Sequence, residues 1–258
     1  MKKTIYLTLL SLLLSACGST SESEIIIPKS DVEFVQKSTK AHNMSEFYRK
    51  EAISFDLNLI MGGTPRIQGK LTLLTNSSKG IFELSDGNTI IYNNGKVYHS
   101  PNIDKPEKVR FNAYTWSYFF LFPYKMADKG TVWSDFPTKK MSGTEYNVNK
   151  LTFEANTGDA PDDWYVVYTD KESNLVATAA YIVTFSKSQA EAEQNPHAIS
   201  YSKYKEINNI PIATEWIFSN WNEAEGVLDT IGTGTLSNIK FVTPPASLFE
   251  PKTDFIEV

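Results

Sequence analysis

The spacing of hydrophobic and polar residues changes near residue 53. Before it, Val32 and Val35 lie at helical spacing, and Ser30 with Glu33 has the spacing of a capping box. This predicts a helix over about residues 31–43, followed by a short helix at 45–50. From residue 53 onward apolar and polar side chains alternate, which predicts strands with one buried face.

Turn sequences divide the alternating region at hairpin spacing, for example Asp86-Gly87 and Asn94-Gly95. The pattern predicts eleven or twelve strands, almost all antiparallel, up to about residue 242. A proline-containing stretch, TPPASLFEPK, then ends the predicted sheet, since proline cannot donate to a strand ladder.

One aromatic segment, RFNAYTWSYFFLFPYKM at 110–126, interrupts this pattern. It is shorter than the roughly 20 apolar residues that span a bilayer. As a helix over 110–122, ended by Pro123, it is apolar on nearly all sides and therefore buried on nearly all sides. Three roles stay open: a core helix, a helix that also forms one wall of an apolar ligand site, or a peripheral membrane contact.

The first residues, MKKTIYLTLLSLLLSAC, have the layout of a secretory signal peptide over 1–16. Leu14-Ser15-Ala16-Cys17 resembles a bacterial lipobox, which implies acyl chains such as palmitate on Cys17. Cys17 is the only cysteine, so no intramolecular disulfide is possible. We expect a lipidated tether over 17–30 and a single domain over 31–258.

The formal net charge is −5, without a basic cluster. This argues against nucleic acid as a partner and against charge-driven docking on anionic lipid. We expect a monomer that contacts a membrane through its lipid anchor, and no cofactor.

Three segments carry a family likeness: SFDLNLIMGGTPRIQGKLTLL, DGNTIIYNNGKVYHSPN and the closing IKFVTPP. Together with the N-terminal helix and the aromatic insert, they resemble the LolA/LolB-like lipoprotein-carrier fold over about residues 31–245. The resemblance implies a mainly β protein: a curved, unclosed antiparallel barrel of about 11 strands whose open side is plugged by helices. It also implies an envelope lipoprotein with room for an acyl chain, a lipid or a lipidated peptide. The acidic, serine-rich tether predicts export onward to the outer membrane.

The alternating strands and the aromatic helix supply candidate walls for such a ligand. The candidates are Phe55, Leu57, Leu59, Trp116, Phe119, Phe120, Tyr181, Phe185, Trp216 and Phe218.

Catalytic and metal-binding signatures are weak. His42, His99 and His197 lack metal-ligand spacing, and we interpret each as a surface or capping residue. The acidic stretch at 159–163 is interpreted as a solvated loop with no metal. We therefore expect a non-catalytic ligand-binding lipoprotein. The alternatives are a structural or interaction lipoprotein with a filled core, and an envelope hydrolase.

Replacing Cys17 tests the anchor. Cys17→Ser should abolish acylation, because a stable anchor needs more than one acyl chain and this residue is the only candidate to carry them. Metabolic labelling with a fatty acid measures the effect, and undiminished label on the variant would contradict the lipobox interpretation.

Overall fold

The computed structural model describes residues 25–137, 140–141 and 143–258. Cys17, the predicted signal peptide and the first part of the tether lie outside these residues. The helices are α1 (Glu33–Ala41), α2 (Met44–Tyr48), α3 (Val109–Lys125) and α4 (Gln189–Ala192). The strands are β1 (Ala52–Met61), β2 (Thr64–Leu74), β3 (Lys79–Leu84), β4 (Thr89–Asn93), β5 (Lys96–His99), β6 (Thr131–Asp135), β7 (Lys140–Met141), β8 (Thr144–Phe153), β9 (Tyr165–Asp170), β10 (Val176–Tyr181), β11 (His197–Ile207), β12 (Ile210–Asn222), β13 (Gly226–Val242) and β14 (Ile256–Glu257).

The strands form one antiparallel sheet in the order β14-β5-β4-β3-β2-β1-β13-β12-β11-β10-β9-β8-β6, with β7 added to β8. The first and last strands of this path do not pair with each other in the described part of the chain. We name β2–β5 the first arm and β8–β12 the second arm of the sheet. The two arms extend from β1 and β13, which pair with each other.

Helix α3 shows that the sheet is curved, because it touches strands from its centre and from both arms. Phe120 stacks on Phe55 of β1 with 4.3 Å between ring centroids, and Phe122 lies 5.1 Å from Tyr165 of β9. The helix also contacts β3, β4 and β5. The predicted fold class, a mainly β unclosed barrel around an inserted aromatic helix, is confirmed.

Within the described residues the sheet has 14 strands, whereas eleven or twelve were predicted. The additional strands, β7 and β14, have two residues each. A segment that short carries no hydrophobic period, so alternation cannot reveal it. β14 follows the proline-containing stretch that we expected to end the sheet, and it pairs with β5.

Two helix starts differ from the prediction. The Ser30 hydroxyl accepts from the backbone N–H of Val32 at 3.2 Å, and no side chain caps α1, so the predicted capping box is wrong. A complete capping box is present instead at α4, where Ser188 and Glu191 bond each other's backbone N–H groups. The sequence reading missed this short helix.

Pro123 does not end α3, which continues to Lys125. A proline inside a helix leaves the carbonyl four residues earlier without its usual N–H donor. Here that carbonyl, on Phe119, accepts the hydroxyl of Tyr201 at 2.8 Å. A buried side chain from β11 therefore replaces the missing backbone hydrogen bond, which removes one cost of the proline.

His99 is buried, so its interpretation as a surface or capping histidine is wrong. The same holds for His42, which is fully buried. Its Nε2 accepts the backbone N–H of Val176 at 3.0 Å, and the rings of Tyr124 and Tyr204 lie within 6 Å of it. Burial lowers the pKa of His42 to about 3, and the carbonyl of Pro211 opposes this only in part. The imidazole is therefore neutral and joins the helical region to the second arm.

This burial makes part of the stability depend on pH. The unfolded chain protonates His42 below about 6.5 while the folded chain keeps it neutral down to about 3, so the unfolded state binds more protons across that window. The contribution of neutral His42 to the free energy of unfolding is fully present above pH 6.5. It is lost as the pH falls towards 3, by at most about 1.4 kcal/mol per pH unit.

Urea unfolding of the wild type and of His42→Gln at several pH values measures this effect. Glutamine keeps an acceptor for the Val176 N–H but does not titrate, so other acid-sensitive groups affect both proteins equally. The free energy of unfolding of the wild type should fall relative to that of the variant as the pH is lowered from about 6 to about 4. A constant difference across that range would contradict the assignment.

Candidate functional site

Helix α3 presents two different faces. At 3.6 residues per turn, one face packs into the core of the sheet and the other faces a cavity. The core face consists of Val109, Ala113, Trp116, Phe120 and Pro123. The cavity face consists of Arg110, Phe111, Tyr114, Thr115, Ser117, Tyr118, Phe119, Leu121 and Lys125.

The cavity, which we call the α3 pocket, has a volume of about 830 Å³ and is open to solvent on one side. The first arm contributes the β2–β3 and β4–β5 turns and Tyr92, and the second arm contributes Phe153, Tyr165 and Tyr181. The pocket therefore lies between the two arms, beside the cavity face of α3. Its aromatic lining is Tyr92, Phe111, Tyr114, Tyr118, Phe119, Phe153, Tyr165, Tyr181 and Phe185.

The structure separates the ten candidate wall residues into two groups. Phe119, Tyr181 and Phe185 line the α3 pocket. The other seven pack in the central core on the far side of α3, where Trp116 meets Phe218 edge-on at 5.9 Å. These seven are Phe55, Leu57, Leu59, Trp116, Phe120, Trp216 and Phe218.

An ion pair crosses the mouth of the pocket. The guanidinium of Arg110 donates to both carboxylate oxygens of Asp159 at 2.8 and 2.7 Å and to the carbonyl of Gly95 at 3.0 Å. It thus connects α3 to the β4–β5 turn and to the loop between β8 and β9. Phe111 and Phe185 add a ring contact at 5.1 Å on the same rim.

A second ion pair lies at the other end of the helix. Lys125 pairs with Asp128 and donates to the hydroxyl of Ser77 at 2.9 Å. The two inner cations of the pocket, Arg110 and Lys125, are therefore both matched by carboxylates. Lys129 is exposed at the rim.

The interior contains tyrosines from three elements. Tyr118 of α3 lies 5.7 Å from Tyr165, which lies 6.1 Å from Tyr181. Burial raises the pKa of all three hydroxyls, so they are neutral near pH 7. Burial also raises the pKa of the Asp163 carboxyl, opposed by hydrogen bonds from Thr184. Neutral hydroxyls on apolar rings suit binding of an amphiphilic molecule better than proton transfer at neutral pH.

The acidic stretch is divided between separate partners. Asp159 pairs with Arg110, whereas Asp163 accepts the N–H and hydroxyl of Thr184, both at 2.8 Å. No group of three or more histidine, cysteine, aspartate or glutamate residues in the described ranges is arranged to hold a metal ion.

Sequence reasoning missed much of the pocket lining. The helical members Arg110, Tyr114, Ser117, Leu121 and Lys125 follow a spacing of three and four residues, and this was the available signal. The candidate wall residues were chosen mainly as large aromatic side chains, and on α3 such side chains also occupy the core face. The contributions of the β2–β3 and β4–β5 turns have no local signature, because they depend on how the arms curve.

Three solved structures resemble this one over most of both chains. A DUF1329 family protein from Desulfovibrio piger has a TM-score of 0.54 at 13% identity, covering 83% of this chain and 96% of its own. A LolA superfamily protein from Nitrosomonas europaea has a TM-score of 0.53 at 8% identity, covering 84% and 96%. A domain from Vibrio parahaemolyticus, assigned by name to outer-membrane lipoprotein sorting, has a TM-score of 0.50 at 12% identity, covering 83% and 94%.

No model of a known protein family matches the chain, and no curated protein matches it. Among the residues that the structure describes, none of the helices has the length and apolar character needed to cross a membrane. The agreement with three structures of low sequence identity concerns the course of the chain: a curved antiparallel sheet around a helix. The chain has a LolA-like fold.

Proposed function

We propose that this protein is a non-catalytic envelope lipoprotein that binds an apolar chain in the α3 pocket. The observation that carries the proposal is the pocket itself: about 830 Å³ of open volume, with nine aromatic residues among its lining, at the unclosed side of a LolA-like fold. Ligand pockets in proteins usually fall between about 300 and 1,000 Å³.

The lining supports an apolar occupant. Phe119, Leu121 and Tyr165 offer buried apolar surface to the cavity without filling it. Each methylene group transferred from water into such surroundings gains about 0.8 kcal/mol. A hydrocarbon chain of moderate length therefore gains enough to offset the entropy lost on binding.

The cellular setting rests on two separate supports. The names of two similar structures refer to the LolA superfamily and to outer-membrane lipoprotein sorting, and these names describe those proteins. The lipobox at Cys17 belongs to this chain, although it lies outside the described residues. Together they support an outer-membrane lipoprotein that takes an acyl chain, a lipid or a lipidated peptide.

Binding is better supported than the two alternatives. A hydrolase whose nucleophile is activated by histidine needs that histidine in the site, but His42, His99 and His197 are absent from the pocket lining among the described residues. A purely structural protein needs no such cavity. The filled core on one side of α3 and the open pocket on its other side support a role for the helix beyond packing.

The rim residue Phe185 gives the sharpest test. Its side chain is 44% exposed, so Phe185→Ala should change the free energy of unfolding by less than about 0.5 kcal/mol. It should weaken binding of a fluorescent fatty-acid probe by about fivefold, because the bound chain loses an aromatic contact. Probe titration and thermal melting of the same samples measure both.

Two further variants separate binding from folding. Ile217 is 38% exposed and outside the pocket, so Ile217→Ala should leave both properties nearly unchanged. Phe120 lies on the core face of α3, and Phe120→Ala should cost about 3–5 kcal/mol of stability. Absence of saturable probe binding by the well-folded wild type, freed of residual lipid, would refute the proposed function.

A further inference from the structure

One carboxylate on the wall of the α3 pocket has no cation beside it. Asp163 lines the cavity, and its Oδ1 accepts the N–H and the hydroxyl of Thr184, both at 2.8 Å. Within the described residues its Oδ2 makes no hydrogen bond or ion pair, and it is not one of the unpartnered polar atoms that are closed off from solvent. Burial raises the pKa of this carboxyl, the hydrogen bonds from Thr184 oppose the rise, and Asp162 adds to it, so no cation offsets the charge.

The other charges of the pocket are paired or exposed. Arg110 pairs with Asp159. Lys125 pairs with Asp128, so an anionic ligand that approached either cation would have to break an existing ion pair. Lys129 is exposed at the rim, where solvent and salt screen its attraction. A cationic group would instead leave both ion pairs in place and supply the charge that the unpaired carboxylate lacks.

The course of the second arm places this carboxylate beside a pair of aromatic rings. Tyr165 of β9 and Tyr181 of β10 are direct strand partners, and their ring centroids lie 6.1 Å apart. Asp163 precedes Tyr165 by two residues, the spacing at which side chains of an extended chain share one side. Both of these residues line the pocket, so the carboxylate and the rings belong to the same wall.

Helix α3 adds a third ring to this wall. Tyr118 lies 5.7 Å from Tyr165 and also lines the pocket. Burial is the main cause of the raised pKa of Tyr118, Tyr165 and Tyr181, and the charge of Asp163 adds to the rise in all three. The carboxylate is therefore close to all three rings. Aromatic rings attract organic cations through their π-electrons, most strongly where water is displaced, and a carboxylate adds the opposite charge.

We propose that the α3 pocket selects an amphiphile with an organic ammonium head, which lies between Asp163 and the rings of Tyr118, Tyr165 and Tyr181 while its chain extends along the apolar lining. This inference rests on the proposed function and adds the charge of the ligand's head group. A quaternary ammonium needs no hydrogen bond, so it attracts the carboxylate without displacing the Thr184 donors from Oδ1.

Displacement of the neutral fluorophore N-phenyl-1-naphthylamine by three ligands of similar chain length tests the charge of the head group: decyltrimethylammonium, 1-decanol and decanoate. The wild type, freed of residual lipid, should bind the ammonium about tenfold more tightly than either of the others. Binding of 1-decanol or decanoate as tight as that of the ammonium, or tighter, would overturn the inference and leave the proposed function intact. Failure of all three to bind would instead remove the proposed function.

The variant Asp163→Asn tests the carboxylate. Asparagine keeps an oxygen that accepts from Thr184 and loses the charge, so the melting temperature should stay nearly constant. Its preference for decyltrimethylammonium over 1-decanol should fall about fivefold. Asp162→Asn is the matched control, because it removes the same charge from an exposed neighbour outside the pocket lining and should leave the preference unchanged. An equal preference in the two variants would overturn the inference.

Variants of Tyr118 test the rings, and they decide the matter alone if Asp163→Asn does not fold. Tyr118→Phe keeps the ring and should keep the preference for decyltrimethylammonium over 1-decanol. Tyr118→Leu keeps apolar bulk but has no ring, and its preference should fall about threefold. Loss of the preference in Tyr118→Phe, or equal losses of affinity for both ligands in Tyr118→Leu, would overturn the inference.

Discussion

The burial of helix α3 inside the curved sheet is the contact on which the rest of this fold depends. A sheet that does not close into a barrel leaves its concave apolar face without a partner. The stacked pair Phe55–Phe120 and the Trp116–Phe218 contact supply that partner at the centre of the sheet. Both arms then meet the same helix, so their relative position is set by one element and not by direct strand pairing.

The same dependence explains why the helix is unusual in composition. One side of the helix packs in the core and the other side lines a cavity. The helix is therefore aromatic around most of its circumference but polar at Arg110, Ser117 and Lys125. It also contains Pro123, and the cost of that residue is reduced only because Tyr201 reaches the carbonyl that Pro123 leaves unpaired. A helix of this kind is stable in its sheet and would not be stable alone.

Much of the architecture could be predicted from the sequence, because it rests on local periods. Alternation gave the long strands, and the aromatic segment gave the inserted helix. The prediction was wrong where a local rule met a tertiary contact: Pro123 did not end α3, Ser30 bonded Val32 in place of a helix cap, and His42 was buried. The Phe119 carbonyl and His42 each bond a residue distant in sequence. The Ser30 hydroxyl accepts from a nearby backbone N–H other than the one that a helix cap would use.

The pocket was less predictable than the fold for a similar reason. Large rings indicate burial but do not distinguish a filled core from an open cavity, since both require apolar surface. Phe119 and Phe120 are adjacent in sequence and both belong to the buried core, yet only Phe119 also lines the pocket. Only the course of both arms decides which side is filled.

The short strand β14 has a consequence for self-association. It pairs with the outer side of β5 through Ile256 and Glu257, Val258 donates to the carbonyl of Val97 at 2.9 Å, and Lys96 pairs with Glu257. Without these few residues, β5 would offer a row of unpaired backbone groups to any extended chain. A two-residue strand with a charged partner covers that edge and offers few backbone groups of its own, so it limits strand pairing with another chain at this end of the open sheet.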